Sequence, residues 1–320
     1  MELGLSELEQ IPEALALAAT ATPFHRPTFW PYILGETDAT SIEDYLDRYQ
    51  MGGQPFNDKY LHAGLQSVKP NRGVSGFMNQ FRPDVETGSF SLLEFSVACP
   101  KEPPAQEMIG LVISVDKLNG FGRNTQGLLD GEPRLHIEHG RLNPKTGQIQ
   151  YRWDGEDGSF KANPVRVAYH PGQKVPVSAP GGTQIEHLIA IFQAPVTGDW
   201  WIAYKNELLG YYPASLFKML NEGACVSLWY GEVGWRKPAK AAAWVKTEMG
   251  SGKFAVEKSP HAAYVRNPKY YDLSWIGNEP PDQFIPPPFY DSKCYSRTPK
   301  ENGIFYLGGP GGKDPGCVGP

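Results

Sequence analysis

Two glutamates of this 320-residue chain stand where a carboxylate is unusual. Each shares a predicted strand face with apolar side chains, because alternate residues of a strand point to the same side. The row of Glu232 is Val226, Leu228 and Tyr230, and the row of Glu107 is Ala105, Ile109, Leu111 and Ile113. An unpaired carboxylate in such surroundings has a raised pKa. Both glutamates are therefore predicted either to be paired or to serve in chemistry.

Two carboxyl groups held close together can hydrolyse an amide with an activated water. They cannot both ionise easily, so one keeps a proton in acid. The ionised group can take a proton from water while the protonated one donates to the carbonyl oxygen. Glu107 and Glu232 are the predicted pair, and which of them is the base stays open. Glu94 shares a more polar row with Ser96, so Glu94→Gln is predicted to have almost no effect on activity.

Other chemistries have weaker support in the sequence. His136 and Glu138 share a strand face beside His139, but their spacing matches no metal motif, so a solvated polar face is predicted. Gly120-Phe121-Gly122 lacks the third glycine of a nucleotide loop, and no serine lies in a nucleophile elbow. We predict no metal and no other cofactor.

Composition limits the partners. The net charge is −5 with a pI near 5.8, and no basic run occurs, which argues against nucleic acid. No apolar run reaches 18 residues, so no membrane-spanning helix is expected. A peptide or protein substrate, including one rich in proline, is the predicted partner.

Short apolar and aromatic runs between turns rich in Gly and Pro indicate an antiparallel all-β sandwich or barrel. The predicted strands are 60–68, 73–81, 89–99, 105–115, 134–138, 148–153, 165–169, 183–192, 200–204, 208–212, 226–233, 243–247, 261–266 and 303–307. One short helix is predicted over residues 214–220, because Pro213 suits a helix start and apolar residues follow at helical spacing.

Residues 1–57 differ from the rest. Pro12 to Ala19 read as a short helix, and Thr40 with Glu43 forms a plausible capping box. The segment before this helix is acidic, so it is not a good signal peptide. We predict a small, partly helical N-terminal arm or propeptide-like segment, followed by one β domain over residues 58–320.

A series of motifs along residues 58–320 resembles the neprosin family of glutamic endopeptidases with post-proline specificity. In order these are Asp199-Trp200-Trp201, Gly210-Tyr211-Tyr212-Pro213, Trp229-Tyr230-Gly231-Glu232-Val233, Met249-Gly250-Ser251-Gly252, Ala262-Ala263-Tyr264-Val265-Arg266, Cys294-Tyr295, Tyr306-Leu307-Gly308-Gly309-Pro310 and Cys317. The match is strongest over residues 175–320. It rests on the number and order of the motifs.

The resemblance implies a β-sandwich in which two glutamates face each other across a cleft and hydrolyse peptides in acid. Glu232 occupies the second family motif, Trp-Gly-Gly-Glu-Val, with Tyr230 replacing a glycine. The first motif, Ile-Glu-Ala-Gly-Trp, is matched only in degraded form around Glu107. Trp229 and Tyr230 are the expected substrate-binding residues.

The resemblance also pairs Cys294 with Cys317, whereas Cys99 and Cys225 could be a second bridge or two buried thiols. Secretion follows from the resemblance alone. Because the first motif is degraded, a catalytically inactive binding protein with the same β-sandwich fold is the alternative function. A zymogen whose residues 1–57 cover the cleft is a further possibility.

Overall fold

A computed structural model describes residues 58–100, 106–117, 130–142, 149–164, 167–236, 246–284, 293–314 and 317. Residues 1–57 lie outside this range, so the predicted N-terminal arm stays a prediction. Within the described residues, no helix is long and apolar enough to cross a membrane.

The described chain is built almost entirely from strands, as predicted. They are β1 (Asp58–Ser67), β2 (Gly73–Asn79), β3 (Ser89–Pro100), β4 (Gln106–Asp116), β5 (Arg134–Leu142), β6 (Ile149–Trp153), β7 (Lys161–Ala162), β8 (Glu186–Gln193), β9 (Trp200–Tyr204), β10 (Glu207–Tyr212), β11 (Val226–Arg236), β12 (Ala263–Tyr271), β13 (Gly277–Asn278), β14 (Gln283–Phe284), β15 (Ser296–Arg297) and β16 (Ile304–Gly308).

These strands form two antiparallel sheets that pack face to face. The first sheet has the order β14-β1-β11-β3-β4-β5-β6. The second has the order β15-β16-β12-β2-β8-β9-β10-β7, with β13 paired to β12. The predicted all-β antiparallel sandwich is thereby confirmed.

The main core lies between the sheets and contains large aromatic side chains from both. Fully buried members include Phe95, Trp200, Tyr204, Trp229 and Phe305. The indole N–H of Trp229, in the first sheet, donates to the carbonyl oxygen of Ser75 in the second at 3.1 Å. This bond satisfies the one polar atom of a side chain that is otherwise sealed in the core.

The predicted helix over 214–220 is wrong. Two short 3₁₀ turns, Ala214–Leu216 and Leu220–Glu222, occupy the segment instead. The backbone groups that a helix would pair internally bind tertiary partners: the N–H groups of Lys218, Met219 and Leu220 donate to the Glu107 carboxylate. Helical spacing of apolar residues could not reveal that competing acceptor.

Two predicted strands also need correction. Residues 167–169 are not in a strand, and residues 165 and 166 lie outside the described range. Of the predicted strand 243–247, Lys246 and Thr247 are not in a strand, and the rest is not described.

Two disulfides close the described structure. Cys294 is bonded to Cys317 with Cα atoms 4.8 Å apart, as the resemblance implied. Cys99 is bonded to Cys225 with Cα atoms 4.6 Å apart, which resolves the alternative left open by the sequence. Disulfides of this kind persist in oxidising compartments.

We expect the Cys294–Cys317 bridge to contribute about 3 kcal/mol to the free energy of unfolding, because it closes a short loop in the unfolded chain. Its sequence separation is 23 residues. The double variant Cys294→Ser with Cys317→Ser should unfold at a lower denaturant concentration than the parent. A digest without reductant should yield the linked peptides from the parent, and recovery of two free thiols there would contradict the pairing.

Candidate active site

The candidate site lies on the outer face of the first sheet, the face that points away from the second sheet. In antiparallel sheets directly opposite residues point to the same side. Glu94 of β3 lies opposite Tyr230 of β11, and Glu232 lies opposite Leu92. Glu94 and Glu232 are therefore diagonal neighbours on one face of two adjacent strands.

Glu94 is a buried carboxyl group whose surroundings favour the protonated form. Its side chain is only 1% exposed. Burial, with a smaller contribution from the charge of Glu232, raises the pKa of Glu94 from 4.5 to about 7, although a hydrogen bond from the Tyr230 hydroxyl opposes this rise. Glu94 is therefore suited to hold a proton through the acid range and release it near neutrality.

A third carboxyl group approaches Glu94 across a glycine of β4. Gly110 lies between Ser96 of β3 and Glu138 of β5. A Cβ atom on Gly110 would lie 2.9 Å from Glu94 Oε1 and 3.0 Å from Glu138 Oε1. The absence of a side chain at Gly110 thus provides the space in which the two carboxyl groups lie.

Glu232 has a different partner on the other side of its strand. His62 of β1 lies directly opposite Glu232, and His62 Nε2 is 2.8 Å from Glu232 Oε2. The imidazole ring also lies 5.3 Å from the ring of Tyr230. The two carboxyl groups of the site are therefore inequivalent.

The predicted solvated face at His136 and Glu138 is wrong, since both side chains are buried. His136 lies on the outer face, opposite Val112, and its Nδ1 is 2.7 Å from Asp154 Oδ2. His139 points to the opposite side, where its ring lies 4.7 Å from that of Tyr212. In the part of the chain that the structure describes, no group of three or more His, Cys, Asp or Glu could hold a metal ion.

The predicted convergence of Glu107 with Glu232 is wrong. Glu107 lies opposite Cys99 of β3, so it points into the core side of the sheet, whereas Glu232 points to the outer face. The Glu107 carboxylate accepts backbone N–H groups of Lys218, Met219 and Leu220 at 2.6 to 3.1 Å. The apolar residues on the same strand face as Glu107 belong to the core between the sheets. Glu107 therefore holds the 3₁₀ segment against the edge of that core.

The two expected substrate-binding residues, Trp229 and Tyr230, lie on opposite faces of the first sheet. Trp229 is fully buried between the sheets, so the expectation that it binds substrate is wrong. Tyr230 lies on the outer face, and its hydroxyl is hydrogen-bonded to Glu94. Burial and the charges of neighbouring glutamates raise the pKa of Tyr230 well above its usual value, so this hydroxyl stays protonated.

Comparison with known families identifies one stretch of the chain. Residues 164–310 match the Neprosin family. The resemblance read from the motifs is confirmed over this range. The neprosin match contains Glu232 and Tyr230, whereas His62, Glu94 and Glu138 precede it.

Solved structures show only distant similarity. Scytalido-glutamic peptidase, bound to a peptide-based transition-state analogue, is 8% identical, with a TM-score of 0.38 over 78% of this chain and 98% of that chain. A family 16 endo-glucanase from Bacteroides ovatus is 10% identical, with a TM-score of 0.31 over 58% and 70%. The CBM40 of a Ruminococcus gnavus IT-sialidase is 10% identical, with a TM-score of 0.28 over 56% and 90%. Similarities this low carry no functional argument.

Sequence reasoning missed Glu94 as the neighbour of Glu232 in the neprosin-like sheet. One signal could have found it: Leu93, Phe95 and Val97 form the strongly apolar row of β3 and therefore the core row. Glu94, on the alternate row, had to point outward. The pairing of β3 with β11, which places Glu94 beside Glu232, has no local signature.

We expect Glu107→Gln to lower the free energy of unfolding by about 2 to 4 kcal/mol, because a charged acceptor of several buried N–H groups is lost. Denaturant titration at neutral pH measures this. Glu207→Gln is the matched control, since that more exposed carboxylate accepts a hydrogen bond from the backbone N–H of Ala168. Equal midpoints for the two variants would contradict the anchoring role.

Proposed function

We propose that this protein is a glutamic endopeptidase that works in acid with Glu94 and Glu232 as its carboxyl pair. The observation that carries the proposal is the inequivalence of two neighbouring carboxyl groups on one sheet face. His62 lies against Glu232, whereas burial favours the protonated form of Glu94. The match of residues 164–310, which include Glu232, to the Neprosin family supports a peptidase.

Each group has its own role in the proposed reaction. The Glu232 carboxylate takes a proton from a water molecule, which attacks the carbonyl carbon of the peptide bond, while protonated Glu94 gives its proton to the carbonyl oxygen as charge develops there. Glu232 then gives the proton it took to the leaving nitrogen as the C–N bond breaks, and a hydroxyl of the intermediate returns its proton to Glu94 as the carbonyl of the product acid forms. Diagonal neighbours on an antiparallel pair have Cβ atoms about 7 Å apart, which leaves space for water and carbonyl between the carboxyl groups.

An apolar cluster surrounds the pair and supports a substrate with an apolar residue beside the scissile bond. It consists of Phe90, Leu92, Val112, Trp153, Tyr230 and the half-buried Leu228. Aromatic faces suit a proline ring, so cleavage after proline, which the family resemblance implies, is part of the proposal. The substrate is a peptide or protein.

Access to the pair requires an activating step. Glu94 and Glu232 are 1% and 4% exposed in the 320-residue chain, too little for a peptide to reach them. We propose that residues 1–57 are a propeptide-like segment whose removal in acid belongs to activation. Secretion is the matching location, and the two disulfides are in accord with an oxidising compartment.

We expect Glu94→Gln and Glu232→Gln each to lower cleavage of a proline-containing peptide by about 10²–10⁴-fold, the usual contribution of a general acid or base. The protein is first incubated in acid, and product is measured by mass spectrometry between pH 3 and 8. Activity of the parent should fall as the pH rises and Glu94 loses its proton.

Glu107→Gln is the comparison variant, and it should retain the parent's pH profile wherever it is folded. Full activity in either Glu94→Gln or Glu232→Gln would contradict the proposed pair. If the parent cleaves nothing even without residues 1–57, a binding protein with this fold becomes the better description.

The buried Glu94 also predicts a pH dependence of stability. Its folded pKa is raised from 4.5 to about 7. The stability contributed by its protonated form is therefore complete below pH 4.5 and is lost as pH rises through 7. Because glutamine cannot ionise, Glu94→Gln should gain stability relative to the parent over this window, as measured by thermal unfolding at each pH. A difference between the two that stays constant from pH 4 to 8 would contradict the assignment.

A further inference from the structure

We propose that His62 is a positioning residue for the reaction: its imidazole orients the Glu232 carboxylate that accepts the proton of water. The inference rests on the proposed function. It adds to the glutamate pair a residue from β1, a strand that precedes the neprosin match.

The position of His62 is fixed by the register of two strands. β1 pairs with β11 from Asp58 opposite Arg236 to Ser67 opposite Ser227, and His62 falls opposite Glu232. Two residues further on, Gly64 lies opposite Tyr230. A Cβ atom on Gly64 would lie 2.4 Å from Tyr230 Cβ and 2.5 Å from the Trp229 carbonyl oxygen. Only glycine fits this approach, so the register that joins His62 to Glu232 is sterically selected.

The contact itself has the geometry of a charge-assisted hydrogen bond. His62 Nε2 and Glu232 Oε2 are 2.8 Å apart, and both side chains are buried. With Nε2 protonated, the imidazole donates to the carboxylate and restricts its rotation. Little water competes for a bond at this depth, so the donor acts strongly on the carboxylate.

The other titratable groups on this face do not supply an equivalent donor to Glu232. Tyr230 is hydrogen-bonded to Glu94, and Glu138 approaches Glu94 across Gly110. His136 lies three strands from β11 and is paired with Asp154. Among the described residues, His62 is thus the basic group in contact with Glu232.

Two replacements of His62 distinguish a role in positioning Glu232 from a role in folding alone. His62→Leu should lower kcat by about tenfold or more with KM within about twofold, because the carboxylate loses its donor but the apolar cluster is intact. His62→Gln, which keeps an N–H donor, should retain activity within about threefold.

The measurements are cleavage rates of the acid-activated protein on a proline-containing peptide across pH 3 to 8, with thermal unfolding as the control for folding. A folded His62→Leu variant with the parent's kcat overturns the proposal. A His62→Gln variant whose kcat falls as far as that of His62→Leu also overturns it.

A second measurement does not depend on activity or on the leucine variant folding. In ¹⁵N–¹H spectra of the parent, the His62 Nε2–H signal should be protected from exchange by its bond to Glu232. It should move or vanish in Glu232→Gln and persist in Glu107→Gln. An unchanged signal in Glu232→Gln overturns the His62–Glu232 contact. If the contact is observed but the parent cleaves nothing, the proposed function fails and the positioning role fails with it.

Discussion

The pairing of β11 with its two neighbours is the constraint on which the candidate site depends. Hydrogen bonding of β11 to β3 sets Tyr230 opposite Glu94, and hydrogen bonding to β1 sets His62 opposite Glu232. A shift of β3 by one residue would turn Glu94 into the core, and a shift of β1 would turn His62 there. The core row, with Trp229 bonded to the second sheet, opposes any such shift because it is large and interlocked.

That register buries several carboxyl groups together, which is costly, and each group has different partners that reduce the cost. Three carboxyl side chains, those of Glu94, Glu138 and Glu232, are nearly buried on one face. Ionising all of them would be costly in an apolar setting. His62 is hydrogen-bonded to Glu232, whereas the Tyr230 hydroxyl and the space at Gly110 accommodate Glu94. Because its pKa is raised, Glu94 keeps its proton in acid, which reduces the cost of burying the three groups together.

The sequence predicted the all-β class and most strands, because alternation and turn residues are local signals. It also identified Glu232, whose motif is local. It failed at Glu94, His62 and the 3₁₀ segment after Pro213, for one reason. Each of these depends on which strands pair or on a distant hydrogen-bond acceptor, and strand order leaves no periodicity in the sequence. The disulfide of Cys99 with Cys225 was undecided for the same reason, since it joins positions 126 residues apart.

Glu107 and Glu94 show two ways in which a protein can bury a carboxyl group, and the difference separates structure from chemistry. Glu107 receives three backbone N–H groups at 2.6 to 3.1 Å, which hold it with fixed dipoles. Glu94 is surrounded by the hydroxyl groups of Tyr230 and Ser96 and by a neighbouring carboxyl group, and its pKa is raised to about 7. A carboxylate bound by several backbone N–H groups holds a fold in place. A buried carboxyl group whose pKa is raised can exchange a proton near neutrality, and Glu94 is such a group on the outer face of the first sheet.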